Sequence, residues 1–150
     1  MRPPRKTWTY DLVKRSYDLI LAGLGLILLA PIMLFIAIMV KVDSKGPVIY
    51  KGIRSGLNFS IFKIYKFRTM VANAEHIGGA VTAESDFRVT RLGKTLRKYK
   101  LDELPQLFNV LEGKMSIVGP RPEVPFYTSQ YTQKEKFFRK RNLKKTRYQQ

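Results

Sequence analysis

Two adjacent carboxylates, Asp102 and Glu103, are the residues of this sequence whose type and surroundings best fit chemistry on phosphate. Arg97 precedes them, and a rigid Gly-Pro-Arg-Pro segment that contains Arg121 follows them. Carboxylates beside guanidinium groups can meet a divalent cation and a phosphate. A purely structural role is the alternative, because acidic residues at a helix start stabilise the helix by about 0.3–1 kcal/mol. Spacing alone leaves both interpretations open.

The residues around this pair predict an α-helix that begins at Asp102 and ends near Gly113. Pro105 would fall in the first turn, where backbone N–H groups have no helical partner. Glycine is a common residue just beyond the end of a helix. One apolar face is marked at helical spacing by Leu104, Leu107, Phe108 and Leu111. We therefore expect both carboxylates at the N-terminus of this helix.

The order of residues in this region resembles the signature of the bacterial sugar transferases, which are small monotopic polyprenyl-phosphate phosphoglycosyltransferases. The matching segments read Leu-Asp-Glu-Leu-Pro-Gln-Leu at 101–107, Asn-Val-Leu at 109–111, Met-Ser at 115–116 and Val-Gly-Pro-Arg-Pro-Glu at 118–123. Earlier matches are Arg-Ser-Gly at 54–56, the box Lys-Phe-Arg-Thr-Met at 66–70 and Asp-x-Arg-x-Thr-Arg at 86–91. Two departures are Lys114, where an acidic residue is common, and the absence of a later Pro-Gly-Ile-Thr-Gly element.

The resemblance implies transfer of a sugar 1-phosphate from a UDP-sugar to undecaprenyl phosphate, the first membrane step of surface glycan synthesis. Asp102 matches the family nucleophile, which would form a covalent phosphosugar intermediate, and Glu103 matches its partner. The resemblance also implies Mg²⁺ as the cofactor, with Asp102 as a ligand. Phosphate-binding roles are implied for Arg97, Arg121, Lys66 and Arg68.

The composition limits the classes of partner. The net charge is +17, from 28 basic and 11 acidic residues, which indicates an anionic partner such as acidic lipid, a phosphorylated substrate or nucleic acid. The absence of Cys and the single His exclude Cys-based and His-cluster metal sites, whereas an oxygen-binding cation such as Mg²⁺ fits. No recognition-helix, zinc-finger or RNA-binding aromatic motif occurs, so we do not expect a nucleic-acid partner. A basic, membrane-anchored nucleic-acid-binding protein is kept as an alternative.

The range 19–40 contains no charged residue. As a continuous helix it would be about 33 Å long, close to the hydrocarbon thickness of a bilayer. Basic residues flank both ends, which favours both ends on the cytoplasmic side. The residues alone fit either a spanning helix kinked at Pro31 or a re-entrant helix. The resemblance favours a re-entrant helix broken at Pro31, although Ala30 replaces the serine that precedes this proline in the family.

These observations predict an α+β monotopic protein on the cytoplasmic face of the bacterial inner membrane. We expect a basic and aromatic interfacial segment at 1–18, a membrane-embedded helix at 19–40, a cytoplasmic catalytic domain at 41–133, and a basic tail at 134–150 that binds anionic lipids. The domain should contain a β-hairpin and short helices, one over 69–77 and one marked by Leu92, Leu96 and Tyr99. Because the later family element is missing, an inactive truncated relative is the second alternative.

Overall fold

The computed structural model describes residues 8–56, 60–72, 74–77 and 86–125. The elements in chain order are α1 (Trp8–Asp43), β1 (Ile49–Ser55), β2 (Ile61–Phe67), α2 (Ala74–Ile77), α3 (Arg91–Lys98), a 3₁₀ turn (Leu101–Glu103) and α4 (Gln106–Leu111). Helices and a two-stranded antiparallel sheet together confirm the predicted mixed class. The basic tail predicted at 134–150 lies outside the described residues.

The first helix, α1, is long and apolar enough to cross a membrane. Only 11% of its most apolar window is buried, and Ile27 and Leu28 are each 73% exposed. A core helix of a water-soluble protein would bury such side chains, because each large apolar side chain gains about 1.5–3 kcal/mol on leaving water. The exposed apolar surface of α1 is therefore compatible with a membrane anchor.

Pro31 lies inside α1, which continues through it as one helix of 36 residues. The secondary structure therefore does not confirm the predicted break into two limbs at this position. Proline removes one backbone hydrogen bond and kinks a helix more often than it ends one inside an apolar segment. Of the interfacial segment predicted at 1–18, residues 8–18 lie in this helix and residues 1–7 lie outside the described residues, so the interfacial position stays a prediction. The re-entrant path through the bilayer stays a prediction.

The hairpin predicted in the middle of the chain is confirmed. Strand β2 alternates in burial, with Phe62 and Ile64 buried and Lys63 exposed, as β-formers on a half-buried sheet do. A backbone hydrogen bond of 2.7 Å from Gly56 N to Ser60 O lies just beyond the paired strands.

The chain divides into two compact units, and each is described by itself. The first comprises Leu29–Gly52 and Ile64–Gln106. Its core packs the C-terminal part of α1 with β2 and α3, through Ile36, Val40, Phe67 and Leu96. Leu101 and Leu104 pack against the same cluster, so the 3₁₀ turn between them is held on this core.

Helix α3 confirms the helix predicted from Leu92 and Leu96, but the third residue of that prediction, Tyr99, follows the end of α3 and is 62% exposed. Thr90 caps its N-terminus, with the side-chain oxygen accepting a 2.9 Å hydrogen bond from Gly93 N. The helix predicted over 69–77 is correct only at Ala74–Ile77. Met70 forms an antiparallel bridge with Val89 instead.

The second unit comprises Met1–Leu28, Ile53–Lys63 and Leu107–Gln150. Arg15 donates to the last carbonyls of α4, with 2.6 Å to Val110 O and 2.9 Å to Leu111 O, and thereby caps this helix. The predicted apolar face of α4 is wrong in part, because Phe108 is 46% exposed whereas Asn109 is fully buried. Asn109 Nδ2 donates a 2.8 Å hydrogen bond to Lys63 O, which offsets the cost of burying an amide.

Candidate active site

Asp102 and Glu103 lie in the 3₁₀ turn, and α4 begins only at Gln106. The prediction that Asp102 caps the helix is therefore wrong. Glu103 N donates to Lys100 O and Leu104 N to Leu101 O, at 3.2 and 3.3 Å, which are the short-range bonds of a 3₁₀ turn.

The residues on either side of the pair shape this turn. Pro105 has no N–H group, so it cannot donate an α-helical hydrogen bond to the carbonyl of Leu101. Leu101 O accepts from Leu104 instead. Lys100, just before the turn, has φ of +59°, in the left-handed region that non-glycine residues seldom adopt. This sharp change of direction separates α3 from the carboxylate pair.

The Asp102 carboxyl is buried and incompletely bonded. The residue is 7% exposed, and its Oδ1 atom has no hydrogen-bond partner in the described part of the chain. Burial raises the pKa of this carboxyl above its ordinary value, and Glu103 adds to the rise, whereas the charges of Lys66 and Arg97 lower the pKa. A buried carboxyl with a perturbed pKa and a free oxygen is typical of a reactive group.

Glu103 is held by Lys66, which reaches it from the end of β2. Lys66 Nζ lies 2.8 Å from Glu103 Oε1, and both side chains are partly buried. A charge-assisted hydrogen bond in this setting is about twice as strong as a neutral one. Lys66 therefore orients one carboxylate of the pair and places a positive charge near the other.

Arg97 is held by a neutral group. Its Nε atom donates a 2.8 Å hydrogen bond to Thr69 Oγ1. Arg97 lies in the last turn of α3, where positive charge is favourable next to the C-terminal end of the helix dipole. The first unit thus brings together four of the predicted site residues, namely Lys66, Arg97, Asp102 and Glu103. Their role in binding phosphate stays a prediction.

Arg68 contacts a different part of the same unit. Its side chain is buried, and Nη2 donates to Ser44 Oγ at 2.8 Å and to Ser44 O. Gly46 lies against the same guanidinium, has φ of +125°, and leaves no room for a Cβ atom. These contacts tie β2 to the turn that follows α1. Phosphate binding by Arg68 stays a prediction, and its described hydrogen bonds are structural.

Arg121 belongs to the second unit. It is exposed and lines a small pocket there, together with Ser55, Gly56, Phe62, Lys114, Pro120 and Pro122. Ser55 N donates a 2.8 Å hydrogen bond to Glu123 O, which fixes the segment just after Arg121 against the hairpin. The role of Arg121 in phosphate binding stays a prediction.

The donor set suits a magnesium ion bound mainly by substrate. In the described part of the chain no three His, Cys, Asp or Glu side chains come together. Mg²⁺ in phosphate-transfer sites commonly uses only one or two carboxylates together with substrate phosphates and water. The unpaired Oδ1 of Asp102 meets that requirement, so the residues present fit the ion.

Sequence reasoning missed Thr69 as the partner of Arg97, and Ser44 as the partner of Arg68. Thr69 lies within the box at 66–70, directly after Arg68. Its burial, at 7% exposure, is the feature that distinguishes it, and a local sequence pattern does not carry that information.

Comparison with known proteins gives one family match and several relatives of similar sequence. Residues 9–147 match the family model described as bacterial sugar transferase. A UDP-N-acetylgalactosamine-undecaprenyl-phosphate N-acetylgalactosaminephosphotransferase of Aeromonas hydrophila is 42% identical over 134 residues, 89% of this chain and 32% of the relative. A UDP-glucose:undecaprenyl-phosphate glucose-1-phosphate transferase of Klebsiella pneumoniae is 48% identical over 118 residues, 79% of this chain and 25% of the relative.

A third relative, the exopolysaccharide production protein PSS of Rhizobium leguminosarum bv. phaseoli, is 49% identical over 113 residues, 74% of this chain and 56% of the relative. The chain thus spans about a quarter to a third of the first two relatives and about half of this one. The family match covers nearly the whole chain and includes every residue of the carboxylate site. This chain belongs to the bacterial sugar transferase family.

Proposed function

We propose that this protein transfers a sugar 1-phosphate from a UDP-sugar to undecaprenyl phosphate at the cytoplasmic face of the bacterial inner membrane. The observation that carries the proposal is the buried Asp102 carboxyl, which lies among the charges of Lys66, Arg97 and Glu103. Its Oδ1 atom has no hydrogen-bond partner among the residues that the structure describes. The names of the relatives support the same donor and acceptor. The exposed apolar helix α1 would keep the site at the membrane surface.

In the first step, an Asp102 oxygen attacks the β-phosphorus of the UDP-sugar. The bond between that phosphorus and the bridging oxygen breaks, UMP leaves with the electron pair, and a sugar phosphate is joined to Asp102 as an acyl phosphate. The raised pKa of the carboxyl makes Asp102 a more basic nucleophile, while Lys66 and Arg97 favour its ionised form. Burial keeps water from hydrolysing the intermediate.

In the second step, a phosphate oxygen of undecaprenyl phosphate attacks the same phosphorus. The acyl phosphate bond breaks, Asp102 regains its carboxylate, and a lipid diphosphate sugar is formed. Glu103, oriented by Lys66, would position the acceptor phosphate or take its proton. Arg97 would bind phosphate oxygens of the donor through its guanidinium fork.

Asp102 would hold Mg²⁺ through its unpaired Oδ1 atom, together with the donor phosphates. When bound, the ion supplies positive charge that neutralises the diphosphate. Anionic lipids are the other expected partner, since the chain carries a net charge of +17.

The experiment follows UMP release by the full chain in lipid nanodiscs, supplied with Mg²⁺, undecaprenyl phosphate and a panel of UDP-sugars. Asp102→Asn should lower the rate by at least about 1,000-fold, as loss of a covalent nucleophile does. Asp43→Asn is the matched control, because Asp43 is exposed at the end of α1. Equal rates for wild type and Asp102→Asn would remove Asp102 as nucleophile.

A second measurement tests the covalent step. With donor but no lipid acceptor, intact-protein mass spectrometry should show one added sugar phosphate on the wild type and none on Asp102→Asn. Absence of both UMP release and mass increase without the acceptor, with UMP release restored when undecaprenyl phosphate is added, would favour direct transfer between the two substrates. A folded wild type that releases no UMP with any donor would favour an inactive relative.

A further inference from the structure

We propose that Thr69 is a positioning residue that holds the guanidinium of Arg97 by a neutral hydrogen bond. The remaining N–H groups and the full positive charge of Arg97 then bind the phosphates of the donor. The inference rests on the proposed function for the identity of the anion. Its geometric part, the fixing of Arg97 by Thr69, does not depend on turnover.

The contact uses one edge of the guanidinium. Arg97 Nε donates to Thr69 Oγ1 at 2.8 Å. A guanidinium has five N–H donors in a rigid fork, and four of them are on the two Nη atoms. Within the described ranges of the chain, no residue accepts a hydrogen bond from those Nη atoms of Arg97. A diphosphate could accept from both of them at once.

Thr69 is itself held in place by its burial and by contacts of its backbone carbonyl. It is 7% exposed, and its carbonyl oxygen accepts a 3.1 Å hydrogen bond from Thr90 N, at the start of α3. Gly93 packs so closely on this carbonyl that a Cβ atom at position 93 would collide with it. The first turn of α3 is thus joined to the backbone of Thr69, and the last turn is joined to its hydroxyl through Arg97.

Arg88 of the same unit provides an internal comparison. Its guanidinium donates to the Asp86 carboxylate through Nε at 2.9 Å and Nη2 at 2.6 Å, and Nη1 donates to Ala74 O at 3.0 Å. A carboxylate partner neutralises the charge of Arg88 and occupies its fork. The hydroxyl of Thr69 is neutral, so it orients Arg97 without neutralising its charge. This difference separates a structural arginine from one that is prepared for an anion.

A neutral anchor matters at this position because carboxylates lie nearby. The charge of Arg97 acts on both Asp86 and Asp102. A guanidinium without the Thr69 contact would be drawn to pair with one of these carboxylates, and it would then present fewer donors to a phosphate.

The test compares Thr69→Val, which keeps the shape but removes the hydroxyl, with Thr69→Ser, which keeps the hydroxyl. The matched control is Thr95→Val, the same change at an exposed position of α3. In the UMP-release assay, Thr69→Val should raise KM for the UDP-sugar about tenfold and change kcat less than about twofold. Thr69→Ser and Thr95→Val should stay within about twofold of wild type in both constants.

A second readout does not require turnover. In protein labelled with ¹⁵N at arginine Nε, hydrogen exchange of the Arg97 Nε–H group should be at least about tenfold faster in Thr69→Val than in wild type, and near wild type in Thr69→Ser. Thr69→Ala is the second variant without the hydroxyl, should the valine variant fail to fold.

The outcomes distinguish the two proposals. The role of Thr69 would be overturned if hydrogen exchange at Arg97 Nε and KM for the UDP-sugar were unchanged in the variants without the hydroxyl. It would also be overturned if Thr69→Ser changed exchange and KM as much as Thr69→Val does. The expected exchange pattern in a wild type that releases no UMP would refute the proposed function and retain the positioning of Arg97 by Thr69.

Discussion

Replacing Asp102 with asparagine should stabilise the folded protein while it removes the proposed transfer activity. The carboxyl is 7% exposed, and its Oδ1 atom has no hydrogen-bond partner among the described residues. Burial raises its pKa above the ordinary value. A carboxyl with a higher pKa in the folded than in the unfolded state binds its proton more tightly in the fold. Its ionisation therefore destabilises the folded state at neutral pH.

The size of the gain follows from the charges around the carboxyl. An uncompensated buried charge would cost several kcal/mol, but Lys66 and Arg97 offset part of this cost for Asp102, while Glu103 increases it. Asparagine keeps the shape and removes the charge. We expect the free energy of unfolding to rise by about 1 kcal/mol at pH 7, which corresponds to about 2–4 °C in Tm for a chain of this size.

The difference in stability between Asp102→Asn and wild type should depend on pH. Below the ordinary aspartate pKa of 3.8, the carboxyl is neutral in both folded and unfolded states, so the variant should have no electrostatic advantage. The advantage should grow as pH rises from 3.8 through the raised pKa of the folded state, and stay constant above it.

The assay is thermal unfolding of the full chain in nanodiscs, measured for wild type and Asp102→Asn from pH 3.5 to pH 8. Asp43→Asn is the control, because this exposed carboxylate should change the free energy of unfolding by less than about 0.5 kcal/mol. A variant that melts below wild type at pH 7, or a gain of equal size at acid and neutral pH, would refute the destabilising effect of the ionised Asp102 carboxyl.

Three further predictions concern charges and backbone near the site. Lys66→Met should lower the free energy of unfolding by about 1 kcal/mol, because the ion pair with Glu103 is lost. It should also move the acid limb of the pH–rate profile to higher pH, because Lys66 lowers the pKa of Asp102. The control is Lys63→Met, at an exposed position of the same strand. Asp86→Asn should lower Tm at neutral pH, with the difference from wild type lost between pH 3.8 and pH 2, since its arginine partner lowers the pKa of Asp86 to about 2. Lys100→Gly should raise the free energy of unfolding by about 0.5 kcal/mol in thermal melts, because φ there is +59°.

Elements that depend on local pattern were predictable from the sequence. The hairpin follows from β-formers on both sides of a glycine-containing loop, and α3 follows from the helical spacing of Leu92 and Leu96. The grouping of Arg97 with Asp102 and Glu103 was also expected. These features share a cause, since each depends on residues that are close together in the chain.

Features that depend on distant contacts were not predictable. Asn109 replaces Phe108 on the buried side of α4, because the carbonyl of Lys63, far away in the sequence, satisfies its amide. The helix was expected to begin at Asp102, but Leu101 and Leu104 pack against the core formed by α1, β2 and α3, and the carboxylates lie in a 3₁₀ turn. The role of Thr69 depends on its burial against α3, which no local spacing reveals.

The two aspartates Asp86 and Asp102 of the first unit differ in their hydrogen-bond partners and in the direction of their pKa shifts. Asp86 accepts hydrogen bonds from Arg88 through both oxygens, and its pKa is lowered, so its ionised form is stabilised and its oxygens are occupied. Asp102 is buried with one oxygen unpaired among the described residues, and its pKa is raised. Selection for stability alone would replace Asp102 by a neutral residue, because most stabilising changes are easily reached. The predicted destabilisation by Asp102 therefore supports the proposal that the carboxylate is kept for its chemistry.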